Sequence, residues 1–138
     1  FIYAVAAAVT WGLVYAIDQK ILTKVSPLSL LFIDAVLAII VLSPVLLWDA
    51  GSVKTLLASG KENLWLIFLS LILGILANFF IFSAIKTLNA STASIIEITY
   101  PLFVIFFSFL IFRQAINMYF ALGALLIFAG TIIVIKFG

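Results

Sequence analysis

The chain has 138 residues, 67% of them hydrophobic and 9% charged, with a formal net charge of +2. With a mean hydropathy of +1.46, it carries more apolar surface than a soluble domain of this length can bury, which excludes a soluble enzyme. The few basic residues are scattered singly, against a nucleic-acid face or polybasic tail, and neither cysteine nor histidine occurs. No disulfide framework, thiol chemistry, metal centre or cofactor is therefore expected, and no enzyme.

About 20 apolar residues cross a hydrocarbon core, and the apolar runs predict five such spans. The chain starts at Phe1, as expected of a processed or excised segment, and lacks the basic region and cleavage site of a removable signal peptide. The first span is 2–22, closed by Asp18, Lys20 and Lys24; Ala7, Trp11, Tyr15 and Asp18 share one helical face. The second is 26–48, with Ser26 as its cap, Pro27 at the first helical position and Asp34 inside it. Residues 49–63 form the one long connection, with Gly51 and Gly60 bracketing an interfacial turn of helix over 53–58.

The third span is 64–85, where Ser70, Gly74, Ala77 and Asn78 make a stripe of small and polar residues suited to close helix packing. The fourth is 90–112. Asn89-Ala90-Ser91 matches a glycosylation sequon, but its place at the membrane edge makes it the cap of this helix. The fifth is 115–135, with Gly123 and Gly130 seven apart as a packing or dimer seam, joined in that role by Gly74. The expectation is a single all-α domain over 1–138, an integral membrane bundle of five transmembrane helices.

Loop charge gives no orientation. Lys54, Lys61 and Arg113 fall on one side and Lys20, Lys24, Lys86 and Lys136 on the other, which is no useful bias under the positive-inside rule. Either flanking sequence sets the topology or the chain inserts both ways.

Ionisable groups within a span cost roughly 2.5–3.5 kcal/mol at mid-helix and so tend to face protein or water. Asp34 and Glu97 are the two candidates, each about seven residues from its helix start and on helices entering from the same side. On a helical wheel Ala90, Ser94, Glu97, Pro101 and Ser108 fall within about 60°, while Ile95, Phe103, Phe106 and Phe107 lie largely elsewhere. Thr99 is a polar exception. Pro101 has no N–H, so a helix through it leaves the carbonyl of Glu97 without a donor. A carboxylate and a spare carbonyl on one residue make a locally opened acidic turn, of the kind transporters use to hold an ion or substrate.

Other readings stand beside this one. Ser94-Ile95-Ile96-Glu97 fits a capping box, which would start the helix later and put Glu97 at the interface. Glu97 is also within reach of an ion pair with Lys86, and Asp34 of one with a snorkelling Lys20. Trp11 and Tyr15 suit either interfacial packing or a wall attracting an organic cation.

The residues together resemble the EamA domain of the drug/metabolite transporter superfamily over nearly the whole chain. Trp11-Gly12 is similar to that family's tryptophan–glycine pair. The run AIKTLNASTASIIEITYPLFVIFF from Ala84, then FRQ, then GALLIFAGTIIV to Val134, looks like its third-to-fifth helix pattern. Two positions depart from it: Asp34 stands where the family usually has an arginine, and Gln114 where it often has a glutamate. The Gly123–Gly130 stretch also looks like the last helix of the small multidrug resistance proteins, but those have four helices and an acid in the middle of the first.

The resemblance implies a multi-pass transporter in the plasma (inner) membrane, moving a small organic metabolite or drug-like solute by alternating access. Glu97, Asp34, Asn78, Trp11, Tyr15, Tyr100 and Ser94 are the candidate binding residues, with Pro101 as the helix break. The expected partners are the solute, the bilayer, and either a second copy or a second five-helix half. The alternatives are a non-transporting assembly subunit and a small multidrug resistance-like efflux protein.

Overall fold

In the computed structural model, which describes residues 1–113, 115 and 117–137, the chain is all-α. α1 covers Ile2–Leu22, α2 Pro27–Trp48, α3 Ala50–Ala58, α4 Lys61–Thr87, α5 Ala90–Glu97, α6 Tyr100–Phe112 and α7 Met118–Phe137. With α5 and α6 taken as one span, the described residues contain five helical stretches long and apolar enough to cross a membrane.

The helix ends show what hydropathy alone cannot. Ser26 caps α2 as expected, accepting the Ser29 N–H at 3.1 Å, with Pro27 at the first position. Asn89 caps α5, its side chain accepting the Thr92 N–H at 2.8 Å. α4 is longer than the expected 64–85 because Glu62 in its first turn and Lys86 in its last suit the helix dipole. Both are good helix formers, although neither is apolar. α7 starts at Met118 rather than 115, where the Asn117 side chain accepts the Tyr119 N–H at 2.9 Å. The interfacial turn expected over 53–58 is a nine-residue helix, α3.

The contacts divide the chain into two compact units, residues 1–20 with 84–138, and residues 21–83. In the first, α7 packs against both α5 and α6. Ala124 and Thr131 of α7 and Ala90 and Ala93 of α5 are buried there, small residues that let the helices approach closely. Tyr15, Asp18 and Ile85 are also buried in this unit. In the second unit α3 packs on α2, and Leu22, Leu30, Ile81 and Phe82 are buried. Most other large apolar side chains, Phe103, Phe106 and Phe107 among them, are exposed, as lipid-facing residues are.

Among the described residues, no side chain packs closely against Gly74, Gly123 or Gly130, the glycines expected to form a packing or dimer seam. A Cβ added at any of the three would meet nothing within 4 Å. α7 turns Ala124 and Thr131 inward instead, and both of its glycines are exposed.

α2 runs unbroken through Pro44, and the reason is local. Pro44 offers no N–H to the Ile40 carbonyl, and the Ser43 hydroxyl donates to that carbonyl at 3.0 Å. Ser43→Ala is expected to destabilise the protein by about 0.5–1 kcal/mol, the size of a hydrogen bond inside a membrane protein. Reversible unfolding in mixed micelles measures it.

Candidate functional site

The fourth span is two helices. α5 ends at Glu97, Ile98 and Thr99 turn, and α6 starts at Tyr100 with Pro101 in its first turn. Proline is tolerated there because the first N–H groups of a helix have no intrahelical acceptor. The Leu102 N–H bonds to the Thr99 carbonyl at 3.0 Å, and among the described residues no other backbone N–H replaces the one Glu97 loses at Pro101. This is where Pro101 and Pro44 differ. Ser43 supplies a hydroxyl to the carbonyl freed by Pro44, whereas the Thr99 hydroxyl goes to Ile96 at 2.8 Å and leaves Glu97 alone.

The capping-box alternative does not describe this segment. Ser94 lies inside α5 and its hydroxyl donates to the Ser91 carbonyl at 3.0 Å, because Asn89 already caps the helix. Glu97 therefore closes a helix rather than opening one.

Its side chain is held by α1. The Tyr15 hydroxyl donates to Glu97 Oε2 at 2.7 Å, a charge-assisted bond when the carboxyl is ionised. One turn further along α1, Gln19 Oε1 accepts the Ala90 N–H at 2.7 Å, tying α1 to the start of α5. Tyr15 is 9% exposed and Asp18 7%, so the face expected of α1 is buried at its C-terminal end, while Ala7 and Trp11 on the same face are exposed. Trp11 stands next on it, its ring centroid 5.5 Å from that of Tyr15 at 49°, and half its surface is open. Tyr15 occupies one of the roughly four acceptor positions of a carboxylate.

Tyr15→Phe keeps the ring beside Trp11 and removes only the donor. We expect a loss of about 1–2 kcal/mol of stability, the range of a hydrogen bond to an ionised group. Unfolding in micelles, compared with Trp11→Phe, measures it.

On the other side of the break, α6 and α7 flank an open cavity of about 560 Å³. Tyr100 and Pro101 line it at the turn, Ser108 and Phe109 along α6, and Asn117 and Phe120 where α7 begins. Its polar groups are few and its walls are mainly apolar, in the size range of sites for small organic molecules.

The structure thus brings Trp11, Tyr15 and Glu97 together, with Ser94 in the same helix as Glu97, and sets Tyr100 and Pro101 on the cavity wall. Asp34 and Asn78 belong to the second unit, where Asp34 is exposed on α2 and Asn78 is partly buried on α4. Gln114 lies outside the described residues. Gln19, Thr131 and Asn117 were not singled out by sequence. Asn117 before an apolar run is a readable cap signal, whereas the partners of Gln19 and Thr131 are 71 and 36 residues away. Among the described residues, no group of three or more acidic, histidine or cysteine side chains is placed to hold a metal ion.

The model of the EamA-like transporter family matches residues 1–136, and the chain belongs to that family. No curated protein and no solved structure shows significant similarity to it. It is an integral, multi-pass membrane protein of a transporter family.

Proposed function

We propose that this member of the EamA-like transporter family moves a small organic solute across the plasma (inner) membrane by alternating access, with Glu97 as the acid at its site. The observation that carries the proposal is the break itself. An intramembrane carboxylate, held by Tyr15 at 2.7 Å, sits on a residue whose carbonyl has lost its helical donor to Pro101. Carboxylate and carbonyl offer acceptors to a cationic or hydrogen-bond-donating group, and the exposed face of Trp11 adds ring-quadrupole attraction. The α6–α7 cavity provides apolar volume for the body of such a molecule.

Transporters of this design build the site between two repeats. We propose that the second is either a further five-helix half or an antiparallel copy of this chain. The exposed Gly130 of α7 is available for such packing, whereas Gly123 lines the α6–α7 cavity. Coupling is to protons or to exchange of a second solute.

The test is flux in liposomes holding the purified protein and an interior pH dye. The panel runs from lipophilic cations such as tetraphenylphosphonium through amines and amino acids to neutral sugars. Substrate-dependent flux or proton movement supports transport. None across the whole panel favours a scaffold or assembly subunit instead.

A further inference from the structure

The turn that Pro101 sets between α5 and α6 leaves a second carbonyl without its helical donor, and here the lost donor is the Thr99 N–H rather than the N–H missing at position 101. Ile98 keeps the helical step, its N–H reaching the Ser94 carbonyl at 2.9 Å. The Thr99 N–H then reaches only to Ile96, at 3.2 Å, as the chain tightens into the turn. That change of step passes over the carbonyl of Ile95. A carbonyl left without a donor away from water is costly and calls for one from elsewhere. The donor comes from another helix: the Thr131 hydroxyl of α7, 3% exposed, bonds the Ile95 carbonyl at 3.0 Å.

Thr131 has a second acceptor, the Ile127 carbonyl of its own helix, at 3.1 Å. One hydroxyl proton serves both carbonyls. If α5 moves away, that proton falls back on Ile127 and no donor is stranded in apolar surroundings. A residue with a single acceptor on α5 would resist such movement, and a valine would not hold the carbonyl at all.

We propose that Thr131 is the positioning residue of the helix break: its hydroxyl latches the passed-over Ile95 carbonyl to α7, falls back on the Ile127 carbonyl when α5 moves, and so fixes where Glu97 stands. The functional consequence rests on Glu97 as the working acid of the proposed transport. The latch itself does not.

The experiment measures amide hydrogen exchange over residues 95–102 of the full chain in lipid nanodiscs. Thr131→Val keeps the shape of the side chain and removes the hydroxyl; Thr131→Ser keeps the hydroxyl. Exchange in this segment is expected to rise about tenfold in the valine variant and to return within about twofold of wild type with serine. Each is then repeated with Pro101→Ala. An alanine there lets α5 continue, returns the Thr99 N–H to Ile95 and makes the latch redundant, so the valine effect should shrink below about twofold. Equal exchange in wild type and Thr131→Val overturns the proposal. So does an undiminished valine effect beside Pro101→Ala, or serine that fails to restore. Should Thr131→Val alone not fold, the double variant is expected to; a double variant that also fails overturns the latch. Absence of transport by a wild-type protein showing this coupling would sink the proposed function and leave the latch standing.

Discussion

Glu97→Gln is expected to abolish solute-dependent flux, by about a hundredfold or more, while leaving expression, membrane insertion and unfolding close to wild type. Glutamine keeps the size of the side chain and an oxygen that can still accept from Tyr15, so the tie between α1 and α5 survives in weakened form. What is lost is the charge. An intramembrane carboxylate kept only for structure is expensive to leave unpaired, and breaking a buried ion pair costs about 3–5 kcal/mol. A structural role therefore predicts a destabilised protein, and a binding role predicts a stable protein that does not transport. Micelle unfolding and liposome flux on one preparation separate the two. Normal flux in Glu97→Gln would remove Glu97 from the site.

Much of the fold was open to sequence reading because the bilayer imposes a simple rule. Each span must satisfy its own backbone, so apolar length predicts helices, and all five spans occur where the apolar runs are. The ends were harder. Glu62 and Lys86 lie inside α4 although hydropathy ends the span before them. Ser26, Pro27 and Asn89 were readable because capping is chemistry between residues two or three apart. The site divides along the same line. The lost donor at Pro101 follows from four residues of sequence, and so does the alignment of Trp11, Tyr15 and Asp18 on one face. That Glu97 meets Tyr15 does not, because the contact spans 82 residues and depends on the fold bringing α1 beside the end of α5. An ion pair with Lys86 and a capping box from Ser94 are both local solutions that the sequence allows. Asn89, which caps α5 instead, displaced the second of them.

Pro101→Ala is expected to cut flux at least tenfold without lowering stability, which is opposite to the usual link between lost function and lost folding. Alanine restores an N–H at position 101 and is the best helix former, so α5 and α6 can join through Ile98 and Thr99. The gain is modest, because Pro101 stands in the first turn of α6, where proline costs little, and its removal loosens the unfolded chain by about 0.4–1 kcal/mol. Net stability should change by no more than about 1 kcal/mol. The site changes far more. The Glu97 carbonyl gains an intrahelical donor, and closing the turn moves the α6 side of the cavity relative to Glu97. Tyr100 is carried with it, since it lines that cavity beside Pro101. Exchange protection over residues 98–102 should rise as flux falls, and only in this variant should the two move in opposite directions. Flux at the wild-type level together with increased protection would show that the opened turn has no part in transport. Unchanged protection would show that α5 and α6 are held apart by packing, not by the proline.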